Sequence, residues 1–378
     1  MNKIFILILN ILIGYFVLTG NAFGLGFDNG AIGIKAYFMG SAFVGIADDS
    51  SAVHYNPAGL AFNEKGVLYA QLYAHYQTLG FTYTTSIAKD KSDEAFLGGG
   101  FFLSETYDNW AFGWGTYIPF GGGGYSFDNM QGINGNDMEV MLGIATLHPA
   151  VAYKVNDKLS IGAGLIVYVG QWEEEMSGYK NKYDALPAGI GGNMGIMYKP
   201  TKELSVGLNV RTKSSIQMDG TETINGVKYD SDIEFTVPYY FDTGLGYRPR
   251  PDLLLGVHFV YMLWGETDEF KLTHQGTRVS HFKDSFRTGI GMEYEINEKC
   301  SFLSGFKYVE PSVNKQYGLF PGTNEMDLYT FNLGLAYKVK ESLELDLGGL
   351  YTWGSEKDND IEYEVEHIFI TVGARFRF

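Results

Sequence analysis

After its first two dozen residues this sequence never again runs apolar for the length of a membrane helix. Instead it alternates. "FNLGLAYKV" places Phe331, Leu333, Leu335, Tyr337 and Val339 on one face of an extended chain and Asn332, Gly334, Ala336 and Lys338 on the other. "LSVGLNVRT" does the same with Leu204, Val206, Leu208 and Val210 against Ser205, Gly207, Asn209 and Arg211. "LELDLGGLYTW" repeats it from Leu343 to Trp353, with Leu350 the exception. A period of two is the signature of a strand with one apolar and one polar or small face. The segments are long for a sandwich, about 10 to 14 residues, and their apolar faces end in aromatics. Both features suit strands that cross a membrane at a tilt and meet its interfaces with rings.

The connections alternate too. Short polar turns occur at Glu105–Asn109, Val155–Lys158, Pro200–Glu203, Arg248–Asp252, Ile296–Lys299 and Val339–Ser342. Longer stretches separate them, at Gly121–Glu139, Glu173–Ala188 and Asp219–Asp230. Six short turns, with a first and a last strand, give about fourteen strands. The final segment, "HIFITVGARFRF", is itself strand-like and lets a last strand close against the first. The predicted fold is all-β, a transmembrane antiparallel barrel of about fourteen strands.

The opening "MNKIFILILNILIGYFVLTGNAFG" has a basic start, an apolar middle and small residues at its end, and reads as a secretory leader over residues 1–24. Cys300 is the single Cys, so no intrachain disulfide holds this exported chain. A net charge of −16 argues against a nucleic-acid partner.

Residues 25–63 do not alternate. In "GIADDSSAVHYNPAGLAF", Asp48 or Asp49 is placed to cap a short helix. Asn56 before Pro57 reads as another cap, and Gly59 as a left-handed exit. The segment follows the leader and precedes the first strand, and is read as a plug inside the barrel mouth formed by residues 64–378. Asp48 and Asp49 are expected to face Arg375 and Arg377, on the inward side of the last strand.

The stretch Met39–Phe62 closely resembles the N-terminal signature of the FadL/TodX/OmpP1 family of outer-membrane hydrophobic-compound transporters. Asp48, Asp49, Asn56, Pro57, Ala58 and Gly59 carry the likeness. "WAFGWGTYIPFGGGG", from Trp110 to Gly124, resembles the family's third strand. The terminal Phe376 and Phe378 resemble the signal read by the barrel-assembly machinery. The resemblance implies a fourteen-stranded barrel with an N-terminal hatch, a monomer of the Gram-negative outer membrane among its lipid and lipopolysaccharide. It also implies a hydrophobic substrate, a long-chain fatty acid or an aromatic hydrocarbon, that leaves sideways through a gap at a kinked strand. Secretion-associated or structural barrels share a similar "ADD…NPAGL" start, and remain an alternative along with a diffusion porin.

The residues themselves offer an exit strand, Gly113, Gly115, Pro119, Phe120 and Gly121. Pro119 has no N–H to give a ladder and the glycines bend freely, so the wall is expected to open there or earlier, among Phe112 to Gly115. Arg211 and Lys307 fall on inward registers and are candidate partners for a ligand carboxylate. No catalytic arrangement, metal spacing or cofactor motif is present: the seven His are scattered and no G-x-S-x-G occurs. The acidic "DNDIE", Asp358 to Glu362, reads as a solvated loop.

Overall fold

The computed structural model describes residues 32–63, 66–83, 89–127, 138–176, 178–267, 269–313, 326–358 and 361–378. The leader, residues 25–31 of the N-terminal segment, and Asn359 and Asp360 of the acidic loop lie outside the described residues.

Two short helices come first, α1 (Ile34–Phe38) and α2 (Ala52–Tyr55), then a 3-10 turn over Pro57–Phe62. The strands follow in order: β1 (Val67–Tyr83), β2 (Lys89–Tyr107), β3 (Trp110–Phe127), β4 (Met138–Asn156), β5 (Leu159–Met176), β6 (Tyr179–Tyr198), β7 (Leu204–Arg211), β8 (Ser214–Ile224), β9 (Val227–Val237), β10 (Tyr240–Arg250), β11 (Leu253–Met262), β12 (Glu269–Leu272), β13 (Gly276–Val279), β14 (Ser285–Asn297), β15 (Cys300–Val309), β16 (Leu328–Lys340), β17 (Leu343–Asp358) and β18 (Ile361–Arg377).

Fourteen of these strands close an antiparallel wall. β1 to β7 pair in sequence; β7 continues to β10, β10 to β11 and β11 to β14; β14 to β18 again pair in sequence. β18 then returns to β1, from Val67↔Arg377 to Tyr83↔Ile361, so the barrel has no free edge along this seam. All six expected short turns lie at one end. The remaining strands, β8, β9, β12 and β13, extend the sheet beyond the other end: β8 pairs β6 and β9, β9 pairs β12, and β12 pairs β13.

The alternation runs inside out relative to a soluble sandwich. Leu97 is 75% exposed and Met194 68%, whereas His75 and His367 are at most 1% exposed. The exposed face is therefore the lipid face, and the buried face lines the lumen. Exposed Tyr107, Trp110, Tyr247 and Tyr337 belt the short-turn end, and exposed Tyr76, Phe241, Tyr261 and Trp353 the other; aliphatics such as Leu72, Leu208 and Ile370 lie between. That is the two-girdle pattern of a membrane barrel.

Two expectations from sequence are corrected. The stretches Glu173–Ala188 and Asp219–Asp230 are not loops but strands continuing past the membrane, in β5–β6 and β8–β9. The β8–β9 hairpin turns on Asn225 and Gly226, both with positive φ, as a two-residue hairpin turn requires. Gly59 is not a left-handed exit, since its φ is not positive. It lies inside the 3-10 turn, where a Cβ would come within 2.4 Å of the Ala47 carbonyl oxygen; close approach, not handedness, requires glycine there.

Two apolar clusters fill the interior. One is built around the N-terminal segment, with Phe38, Met39, Phe43 and Leu60 fully buried. The other lies toward the long-strand end and joins wall residues such as Phe120, Tyr168 and Tyr240 to Trp172, Phe235 and Phe270.

Candidate transport site

The N-terminal segment meets the wall through backbone groups, which explains its turn-rich sequence. Four inward side chains each donate to a segment carbonyl: Asn193 to Val53 at 2.9 Å, Ser160 to Ala58 at 2.7 Å, Ser205 to Gly45 at 2.5 Å and Asn332 to Tyr37 at 2.8 Å. Asn56 answers from the segment. Its Oδ1 accepts from the Ala58 N–H at 3.2 Å, capping the 3-10 turn. Its Nδ2 donates to the Val44 and Ile196 carbonyls at 3.1 and 3.0 Å. Such contacts need the wall to lack side chains. A Cβ on Gly195 would sit 2.1 Å from Asn56 Oδ1, and one on Gly162 would sit 2.5 Å from the Pro57 carbonyl carbon and the Ala58 nitrogen.

The two adjacent acids part company. Asp48 pairs with Lys35 at 2.8 Å, and Lys35 also reaches Glu293 at 2.8 Å. Asp49 accepts from Ser51 N and Oγ, at 2.8 and 2.5 Å, and from Arg375 Nη2 at 3.3 Å. Arg375 also holds Glu344 at 2.8 Å, and Arg377 lies 3.4 Å from the same carboxylate, not from either segment aspartate. Burial alone would raise both aspartates. For Asp48, a third of whose side chain is exposed, burial is the largest influence, but the Lys35 charge and hydrogen bond together with the Arg375 and Lys199 charges outweigh it and hold the carboxyl below the ordinary range. For Asp49 burial wins over Arg375, and its carboxyl titrates above that range.

Above the segment a chain of buried polar groups leads to a small chamber. Arg211 is an obligate donor, and its Nη1 reaches His54 Nε2 at 3.5 Å. Burial, and then the Arg211 charge, holds His54 well below the ordinary imidazole range, so the ring is neutral. With Nε2 accepting, Nδ1 carries the proton and donates to Tyr117 Oη at 3.1 Å. Tyr117 then donates to His148 Nδ1 at 2.6 Å, and His148 Nε2 donates to Asn193 Oδ1 at 3.1 Å. Asn193 ends on the Val53 carbonyl, so the chain of bonds leaves and re-enters α2 and clasps it to the wall. His54, Tyr117 and Arg211 line a small chamber with Pro119, Phe120, Ile166, Tyr168, Val237 and Tyr240. Its free volume is about 10 Å³, room for about one water, so a solute must part these side chains to enter.

The chamber abuts a break in the wall. Among the described residues the β2–β3 ladder stops at Phe101↔Thr116, although β3 runs on to Phe127 beside β4. The β3–β4 register also shifts between Tyr117 and Phe120 and again between Gly121 and Gly123, around Pro119. Pro119 lacks the N–H for a ladder, and Gly121 has φ +66°, with a Cβ site 2.4 Å from the Leu142 carbonyl oxygen. The break does not fall among Phe112 to Gly115, which pair with both β2 and β4. Gly113 and Gly115 instead receive the Val53 side chain, whose methyl carbons lie 2.5 and 2.8 Å from their Cβ sites.

Arg211 thus lines the chamber, whereas Lys307 lies on β15, four strands farther round the wall, and does not. Phe376 and Phe378 face outward at the short-turn end with their rings 6.4 Å apart.

A sequence profile described as outer membrane protein transport protein (OMPP1/FadL/TodX) matches residues 30–367. The chain belongs to the OMPP1/FadL/TodX family. Outer membrane protein P1 of Haemophilus influenzae is 24% identical, the match covering 84% of each chain. A long-chain fatty acid transport protein of Escherichia coli is 22% identical over 84% of this chain and 85% of its own. The crystal structure of the Pseudomonas putida toluene transporter TodX superposes with a TM-score of 0.74 at 18% identity, covering 94% of this chain and all of that one. As a member of the OMPP1/FadL/TodX family with a membrane-facing barrel, the protein is an outer-membrane transport protein. Sequence reasoning missed Tyr117, His148 and Asn193 as parts of this site. Their signal was present: each is a polar side chain on an inward register of a strand whose other face is apolar.

Proposed function

We propose that the protein carries hydrophobic small molecules across the outer membrane, binding them in the chamber and releasing them sideways into the bilayer between β2 and β3. The long-chain fatty acid and toluene transporters it resembles put the substrate in that range. The observation that carries the reading is the loss of the β2–β3 ladder beyond Thr116, where Tyr117, Pro119 and Phe120 form both the unpaired edge and the chamber wall. Unpaired backbone is tolerated at membrane depth only where it faces protein or a cavity. The buried segment 32–63 then serves as the hatch, keeping solute from falling through to the short-turn end. A transporter needs no catalytic group, and we read the chain as a non-enzyme that works as a monomer. Its outward Phe376 and Phe378 would meet the assembly machinery, and its girdles lipid and lipopolysaccharide. A diffusion porin would want an open lumen, and a secretion barrel no apolar chamber.

The Cβ site of Gly100 lies 3.3 Å from Tyr117 Cβ, close to the spacing of a disulfide. Gly100→Cys with Tyr117→Cys in a Cys300→Ser background should stop uptake of a hydrophobic solute under oxidation and restore it on reduction, while whatever affinity the loss of Tyr117 leaves is the same in both states. Equal uptake in both states would show that solute leaves by another route.

A further inference from the structure

We infer that Asp242 is a polarity filter, a positioning residue that makes the chamber favour neutral solutes over carboxylates of the same size. The inference rests on the chamber being the solute site proposed above. Of the residues that line it, Arg211 alone carries a positive charge. That charge is already engaged. Arg211 Nη2 donates to Asp242 Oδ1 at 3.2 Å, with 7% and 3% of the two side chains exposed. Asp242 is itself fixed from its other side, where Oδ2 accepts from Asn209 Nδ2 at 2.8 Å. The guanidinium lies over the Tyr240 ring, 4.2 Å from its centroid, and points its remaining terminal nitrogen at His54.

The pair presents the chamber with a net charge of zero. An entering carboxylate would have to share one guanidinium with Asp242 among buried side chains, so two like charges would crowd one cation while the newcomer lost its hydration. A neutral solute pays neither cost and meets the rings of Phe120, Tyr168 and Tyr240. Other lumen cations do not alter this. Arg287 lies two strands beyond Asp242 in the same row, through Asp242↔Val260↔Arg287, and Lys307 one strand farther; neither lines the chamber.

Toluene and benzoate have the same ring and differ in charge, so their affinity ratio reads the filter. With the full chain in lipid nanodiscs, wild type should bind toluene at least about tenfold more tightly than benzoate. Asp242→Asn keeps an acceptor for Arg211 and removes the charge. It should shift the ratio toward benzoate by at least about tenfold, and Arg211→Met added to it should abolish that gain. A structural role for Asp242 would weaken both ligands alike and leave the ratio in place. An unchanged ratio in a variant that still binds toluene overturns the filter and leaves the chamber reading standing. Wild type that binds both ligands equally overturns the filter without any variant, should Asp242→Asn fail to fold. Wild type that binds neither overturns the chamber and the filter together.

Discussion

Strand β3 behaves as two different strands. From Trp110 to Thr116 it is laddered to β2 and to β4, and its glycines receive Val53 from the segment within. From Tyr117 onward it keeps β4 and leaves the β2 ladder, although the Ser126 N–H still donates to Ser92 Oγ on β2 at 2.9 Å, and its inner face lines a chamber instead of a packed seat. The lumen divides at the same level. The half toward the short turns is filled by residues 32–63, bonded backbone to wall. The other half is filled by side chains, chiefly aromatic. Backbone contacts demand one register and one set of glycines. Side-chain packing tolerates rearrangement, since rings can turn without breaking a ladder. Under the proposed function, the first half is the one expected to stay shut and the second the one expected to yield.

Removing the seat's occupant should have the largest effect. Deletion of Gly45–Leu60 takes out half of the buried segment, and should raise single-channel conductance in planar bilayers by roughly an order of magnitude or more. Unchanged conductance would mean that the aromatic half blocks the lumen by itself, and the contrast between halves would collapse.

A gentler attack keeps the segment and spoils its fit. Gly195→Val places carbon where Asn56 Oδ1 now lies, 2.1 Å from the Cβ site. Overpacking and loss of the Asn56 bonds to Val44 and Ile196 should cost about 1–3 kcal/mol of seating. Limited proteolysis of the folded barrel should then cut the segment roughly tenfold faster. Gly80→Ala is the control, because its Cβ would meet nothing nearer than 4.0 Å. Equal protection in both variants would show that the seat is soft, and that the two halves differ less than their contacts imply.

The wall was legible from sequence because a strand's period of two survives any tertiary context. The Phe331–Val339 and Leu343–Trp353 alternations read directly as lipid and lumen faces, and all six short turns fell where polar residues interrupt them. The β8–β9 hairpin was missed because charge along "TETINGVKYD" resembles a solvated loop, as "EEEM" did at the far end of β5; only the Asn225-Gly226 pair marked the hairpin. The inner glycines were opaque for a different reason. A glycine that eases curvature and one that admits a neighbouring backbone look the same until the neighbour is placed, as Asn56 against Gly195 shows. Asp242 was invisible as a partner of Arg211 because the two lie on β10 and β7, brought side by side only when β8 and β9 leave the wall.

The smallest effect lies within the seat and separates its two aspartates. Asp48 titrates below the ordinary aspartate value of about 4 when seated, so its contribution is present above that value and is lost as the pH falls through the depressed one. Lys35 titrates above the ordinary lysine range, so its contribution is intact at neutral pH and fades only in alkali. Asp49 runs the other way. Its carboxyl is raised by burial, so the seated state binds the proton more tightly than a released segment does, and seating weakens as the pH rises from about 4 through the raised value. At pH 7 Asp48→Asn should therefore loosen the segment. The effect should be only a few-fold in protease accessibility, since a pair with one partner a third exposed contributes at most about 1 kcal/mol. Asp49→Asn keeps an acceptor for Ser51 and leaves Glu344 to Arg375, so it should hold the segment as well as wild type or better. It should also remove the tightening that wild type shows on acidification. If the two variants loosen the segment equally at pH 7, the Asp49–Arg375 contact is a net stabilising ion pair, and the charge of Asp49 favours the shut half instead of opposing it.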